Sequence, residues 1–214
     1  MPTINYKLKD GTSIQGVTTI IGQNLGWNKQ QLMWWANQEG LVGRNHKETA
    51  QKEADAGTIA HAMVEASLKK EGYVFPPEVD AEIIEKALTA FKNFQHWKET
   101  VRFQVISLEE HLVSEVHRFG ATPDCVAIIN RNASLFDWKT SNAVYADYLV
   151  QIAAYRVAWE EVHPDIPLVG GFYLYRMDKL SAAWTQHYWE ELPEAWEAFK
   201  NVLRLNELHK LLKV

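Results

Sequence analysis

The chain has 214 residues, 47% hydrophobic and 23% charged, with 22 Lys and Arg against 27 Asp and Glu and a formal net charge of −5. That length suits one domain with a real core. The acidic balance excludes a protein that coats nucleic acid non-specifically, so a nucleic-acid partner would need a local basic groove or metal ions bound in carboxylates.

The single Cys125 excludes an internal disulfide and a cysteine-built metal cluster. Met1 to Asn5 lacks a signal-peptide pattern and no run is apolar enough to span a bilayer, so a soluble, cytoplasmic protein is expected. Residues 4–8 and 12–18 alternate around Asp10-Gly11, which predicts a hairpin. A short helix is expected over 28–38, with Leu32, Trp35 and Ala36 on one side, and a longer one over 46–70, with Gly57 tolerated inside it or marking a break. Over 78–98, Val79, Ile83, Ile84, Ala87, Leu88, Phe91 and Phe94 form one helical stripe.

Extended segments follow near 103–117, 124–129 and 134–139, the last two joined by a tight turn at Asn130-Arg131-Asn132. A helix over 144–162, strands over 168–176 and 182–189 and a closing helix over 191–213 complete the order. That order predicts an α/β domain with a mixed central β-sheet flanked by helices, an N-terminal hairpin and a helical region. Of the nine tryptophans most are expected in the core; Trp27, Trp34 and Trp35 could stack on unpaired bases, yet at least two of these are expected to be core.

The central chemical signal is Phe136-Asp137-Trp138-Lys139-Thr140. In a strand, Asp137 and Lys139 share a face with Leu135 while Trp138 points behind. Alone, an Asp-x-Lys is as ordinary as a surface cross-pair. Ala121-Thr122-Pro123-Asp124 adds a second acid, which the hairpin brings near Asp137. Two close carboxylates repel unless a positive group lies between them, and Mg²⁺ or Mn²⁺ would fill that role; by itself Asp124 reads equally as a turn cap. His61 and Glu65, four apart on a helix, share a face as ligand and orienter, or as a plain ion pair. Gln151 and Tyr155 share a face of an otherwise apolar helix, where the amide needs a polar partner: a helix-interior bond, phosphate or Lys139.

Taken in order, Gly57-Thr58-Ile59-Ala60-His61, Ala121-Thr122-Pro123-Asp124, Asp137-Trp138-Lys139 and Gln151-Ile152-Ala153-Ala154-Tyr155 resemble the PD-(D/E)XK nuclease superfamily. The pattern is similar to its RecB-type branch, which includes the mitochondrial genome maintenance exonuclease. Val17-Thr18-Thr19-Ile20-Ile21 and Trp34-Trp35-Ala36 look like the N-terminal part of phage-encoded members. Four motifs in one order are more specific than any one of them.

The resemblance implies a restriction-endonuclease-like core in a single nuclease domain over 1–214: hairpin and helices over 1–100, the catalytic sheet over 101–190 and a C-terminal helix over 191–214. It implies that Asp124, Asp137, His61 and the backbone carbonyl of Trp138 are metal ligands, with Glu65 or Glu110 as further candidates. Glu109 and Glu115 compete with Glu110 for the family's strand Glu. Lys139 would hold the attacking water or the scissile phosphate, and Gln151 and Tyr155 would position the lysine and the DNA strand.

The implied activity is a Mg²⁺- or Mn²⁺-dependent deoxyribonuclease, an exonuclease rather than a restriction-type endonuclease. It would act on DNA ends in recombination, repair or replication in a bacterial or phage-infected cell, with a single-strand annealing protein as a candidate partner. The alternative is a non-catalytic DNA-binding accessory module on the same fold. Arg44, Lys52, Arg118 and Arg156, with Lys29 and Lys47, are candidate phosphate contacts whose plain alternative is a solvated charge. Ala121 stands where many relatives have Gly; the cysteines of an iron–sulfur cluster and a Walker-type motif are absent, so neither cluster nor nucleotide cofactor is expected.

Overall fold

The computed structural model describes residues 4–212. Strands β1 (Tyr6–Lys7) and β2 (Ser13–Ile14) form the expected hairpin, with Gly11 at φ +86° in its turn. The second strand ends earlier than its alternation suggests. Val17–Asn24 is helix α1, burying Val17, Ile20 and Ile21 at i, i+3 and i+4 against later helices. Its β-branched residues favour a strand locally, and that tertiary burial overrides them.

Helices α2 (Lys29–Leu41), α3 (His46–Lys69) and α4 (Ala81–Thr100) follow. Asn45 caps α3 by accepting from the Lys47 N–H at 3.0 Å, and Asp80 caps α4 by accepting from that of Glu82 at 3.0 Å. Helix α3 runs through Gly57 without a break. Buried Ile83, Ala87, Ala90, Phe94 and Trp97 carry the packing face of α4.

The extended stretch 103–117 is two strands in different sheets. β3 (Gln104–Leu108) enters the main sheet; the chain then turns at Glu109, which takes a left-handed φ of +48°. β4 (Leu112–Ser114) instead pairs with β5 (Phe119–Ala121). β6 (Cys125–Ile129) and β7 (Asn132–Lys139) form a hairpin around Asn130 and Arg131, both at positive φ, as a two-residue primed turn requires. Helix α5 (Ala146–Val162) crosses over to β8 (Phe172–Met177), which lies parallel to β7; β9 (Trp184–Trp189) and α6 (Pro193–Leu211) close the chain.

The fold is therefore α/β, with a five-stranded mixed sheet ordered β3-β6-β7-β8-β9. Alternation along the strands feeds two cores. Val126, Leu135 and Phe172 pack with α1, α5 and α6, while Phe136, Trp138 and Tyr175 pack with α3 and α4. Trp138 is fixed among Phe94, Trp97 and Tyr175. No helix among the described residues is long and apolar enough to cross a membrane.

Candidate metal centre

The sheet register aligns the acids. Leu108 pairs with Cys125 and Cys125 with Phe136, so one step further Glu109, Asp124 and Asp137 stand in a row across β3, β6 and β7. The Glu109 N–H donates to the Asp124 carbonyl oxygen at 3.2 Å, and the Trp138 N–H donates to Asp124 Oδ2 at 2.7 Å. Asp124 is thus pinned to both neighbouring strands.

Helix α3 brings the imidazole. A Cβ on Gly57 would stand 2.7 Å from Thr140 Oγ1, so only glycine lets α3 press this closely on the end of β7. One turn later, His61 Nδ1 lies 3.6 Å from Asp124 Oδ2. Ligand atoms of His61, Glu109 and Asp124 all lie within 4.8 Å of one another.

Asp137 stands beside this group rather than in it. Its side chain is 1% exposed, and Oδ2 lies 2.8 Å from Lys139 Nζ as an ion pair out of hydrogen-bond alignment. Lys139 Nζ donates to Gln151 Oε1 at 2.9 Å and lies 4.7 Å from the centre of the Tyr148 ring. Gln151 Nε2 in turn donates to Tyr155 Oη at 2.5 Å and reaches Thr18 Oγ1 at 3.4 Å. Of the readings open for Gln151, the bond within its own helix, to Tyr155, and the bond to Lys139 are both present.

Charge sets the protonation. Burial pushes Asp137 up to about 6 against the pull of Lys139, and burial together with the charge of Asp124 pushes Glu109 up to about 8. For Asp124, burial is outweighed by His61, Lys139 and the Trp138 N–H, which hold its carboxyl below the usual range. For His61, burial is outweighed by Asp124, which raises the imidazole. For Lys139, burial is outweighed by Asp137 and Asp124, which keep the ammonium charged.

Among the described residues, His61 Nδ1, Asp137 Oδ2 and Asp147 Oδ1 are buried side-chain atoms without a hydrogen-bond partner. Asp137 Oδ2 has the Lys139 ammonium at 2.8 Å, so the unsatisfied atom of the carboxylate row is His61 Nδ1; buried polar atoms are normally satisfied, and this nitrogen is free to act as a ligand. Two carboxylates and an imidazole fit a divalent cation, the oxygens favouring Mg²⁺ or Mn²⁺ and the nitrogen tilting the choice toward Mn²⁺.

Other expected residues fall elsewhere. Glu110 accepts from Ser107 at 2.6 Å and pairs with His163 at 2.9 Å; Glu115 accepts from the Lys9 N–H at 2.9 Å; Glu65 pairs with Lys69 at 2.6 Å. Glu109, a competitor of Glu110 in the sequence, is the one at the site, level with Asp124 in the strand register and at a left-handed φ of +48°. Sequence reasoning also passed over Tyr148, Thr18 and Thr140. The Trp138 carbonyl belongs to β7, between Asp137 and Lys139.

The expected phosphate contacts are mostly engaged. Arg44 grips Glu39 at 2.7 and 2.8 Å, Lys52 lies 3.5 Å from Asp80, and Arg156 pairs with Glu160 and Glu191. Arg118 is exposed at the β4–β5 turn, and Lys29 and Lys47 are exposed. Trp27 and Trp34 are 56% and 66% exposed, against the expectation that at least two of the three N-terminal tryptophans are core. Only Trp35 is partly covered, edge-on to His46.

No family model and no curated protein matches the chain.

Proposed function

We propose that the chain is a Mn²⁺- or Mg²⁺-dependent deoxyribonuclease that hydrolyses DNA phosphodiesters at DNA ends. The observation that carries this reading is the row of Glu109, Asp124 and Asp137 beside an orphaned His61 nitrogen, with a charged lysine fixed at its end. His61, Glu109 and Asp124 would hold the cation, with Asp137 adjoining. Bound there, a divalent cation offsets the charge of the phosphate and lowers the pKa of the attacking water.

Lys139 acts as a fixed positive charge for the phosphate oxygens that grow more negative in the transition state. Paired with Asp137 at 2.8 Å, it is held as a fixed charge. Gln151, braced by Tyr155 and Thr18, fixes the lysine in place, so the charge is set before substrate arrives. The four motifs in family order support DNA as substrate and its ends as the point of attack.

The test is end-labelled linear single-stranded, linear duplex and circular DNA incubated with Mn²⁺. Progressive loss from ends, sparing of circles, arrest by chelator and loss of cleavage in Asp124→Asn and Lys139→Met are expected. Cleavage that survives both substitutions ends the proposal.

A further inference from the structure

Residues 11–47 carry Lys29, Arg44 and Lys47 but one acid, Glu39, a net +2 in a chain of net −5. Glu39 is 5% exposed and locked by Arg44 and Thr49, so it presents no free negative charge. On this segment, which lies between Asp10 and Glu48 and whose one acid is paired, Trp27 and Trp34 stand mostly in solvent. Among the described residues one other tryptophan is exposed, Trp184 at 38%, and it lies against Tyr175.

The segment also leads to the site. Asn28, next to Trp27, donates to Asp147 at 3.3 Å; Tyr148 follows, and its ring covers Lys139 at 4.7 Å. Exposed aromatic faces, with the exposed Lys29 and Lys47 on the same segment, match one ligand chemistry, an unpaired polynucleotide strand.

We infer that α2 and Trp27 form a stacking face for the unpaired bases of a single-stranded DNA end whose backbone leads to Lys139. The ligand assignment rests on the nuclease reading, and the face can be measured apart from cleavage. Both tryptophans are exposed, so their removal leaves the core intact.

The experiment follows fluorescence anisotropy of a labelled oligo-dT and of a blunt duplex hairpin, with the full chain in chelator so that nothing is cut. Trp34→Ala and Trp27→Ala should each weaken oligo-dT binding roughly fivefold to a hundredfold, the range of one base stacking on one aromatic ring. Trp34→Tyr should restore most of it, Leu180→Ala, at an exposed site elsewhere, should change nothing, and the blunt duplex should be little affected. Equal oligo-dT affinity in the alanine variants, no binding at all, or equal losses on the blunt duplex would overturn the inference. So would a sedimenting dimer that Trp34→Ala dissolves, since a second copy then covers the face. Mn²⁺-dependent cleavage by the wild type with unaltered binding in the variants removes the stacking face alone. Altered binding with no wild-type cleavage removes the nuclease reading alone.

Discussion

Gly57 and Thr140 meet where no side chain fits between them: a Cβ on Gly57 would lie 2.7 Å from Thr140 Oγ1. This contact fixes how far α3 slides over β7, and so how close His61, one turn on, comes to Asp124. Gly57→Ala should gain about 1 kcal/mol of helix propensity and lose about 1–3 kcal/mol to overpacking. The melting temperature should therefore move little. Cleavage should fall roughly a hundredfold, because a displacement of about 1 Å in a site costs that much. Thr140→Ala should restore cleavage in the Gly57→Ala background, and rates and melts of the three variants check this.

Glu109 sets the pH dependence of the metal-free protein. Its folded value of about 8 lies above its ordinary 4.5, and that of Asp137, about 6, lies above 3.8. The folded state then binds more protons than the unfolded chain, so their stability contribution is present at low pH and is lost as pH rises to about 8. His61, also raised, acts with the same sign. In chelator the melting temperature should fall from about pH 5 to about pH 8, and Mn²⁺ should restore more at the upper end, where its ligands are deprotonated. Glu109→Gln should flatten the upper half of this slope and weaken Mn²⁺ binding. A melting temperature that climbs with pH over that interval contradicts the assignment.

Lys139 contributes to the fold as well as to the site. Removing it leaves Asp137, 1% exposed, as an unpaired buried charge, which costs about 3–5 kcal/mol. Lys139→Met should therefore lower stability in chelator at about pH 8 and much less at about pH 5, where Asp137 takes a proton. Adding Asp137→Asn should recover most of the loss. Denaturant titrations at the two pH values measure both.

Gln151 holds Lys139 through one hydrogen bond of 2.9 Å. Gln151→Ala should slow cleavage roughly tenfold to a hundredfold with unchanged Mn²⁺ affinity, because it loosens the charge without touching the ligands. Tyr155→Phe, which leaves the amide in place, should cost less. Single-turnover rates at saturating Mn²⁺ separate the two.

Local periodicity made much of this legible. The alternation of Leu135, Phe136, Asp137, Trp138 and Lys139 announces which side chains face the site and which the core, and Asn130-Arg131 announces the hairpin that sets Asp124 across from Asp137. What stayed hidden depends on long-range placement. Val17 to Ile21 looks extended until α5 and α6 cover one side of it. Glu109 is indistinguishable from Glu110 along the chain, and a single left-handed residue after β3 separates them. Gly57 could as well interrupt a helix; its purpose is a partner 83 positions away. Trp34 on α2 and Trp27 before it carry no sign that they lack a cover.

The proposed function depends on one cation binding among His61, Glu109 and Asp124. Anomalous diffraction from crystals soaked in Mn²⁺ tests this directly. The prediction is a manganese peak in contact with His61 Nδ1 and the carboxylates of Glu109 and Asp124, absent in Asp124→Asn. A wild-type map at full Mn²⁺ exposure with no peak among those three side chains would contradict it.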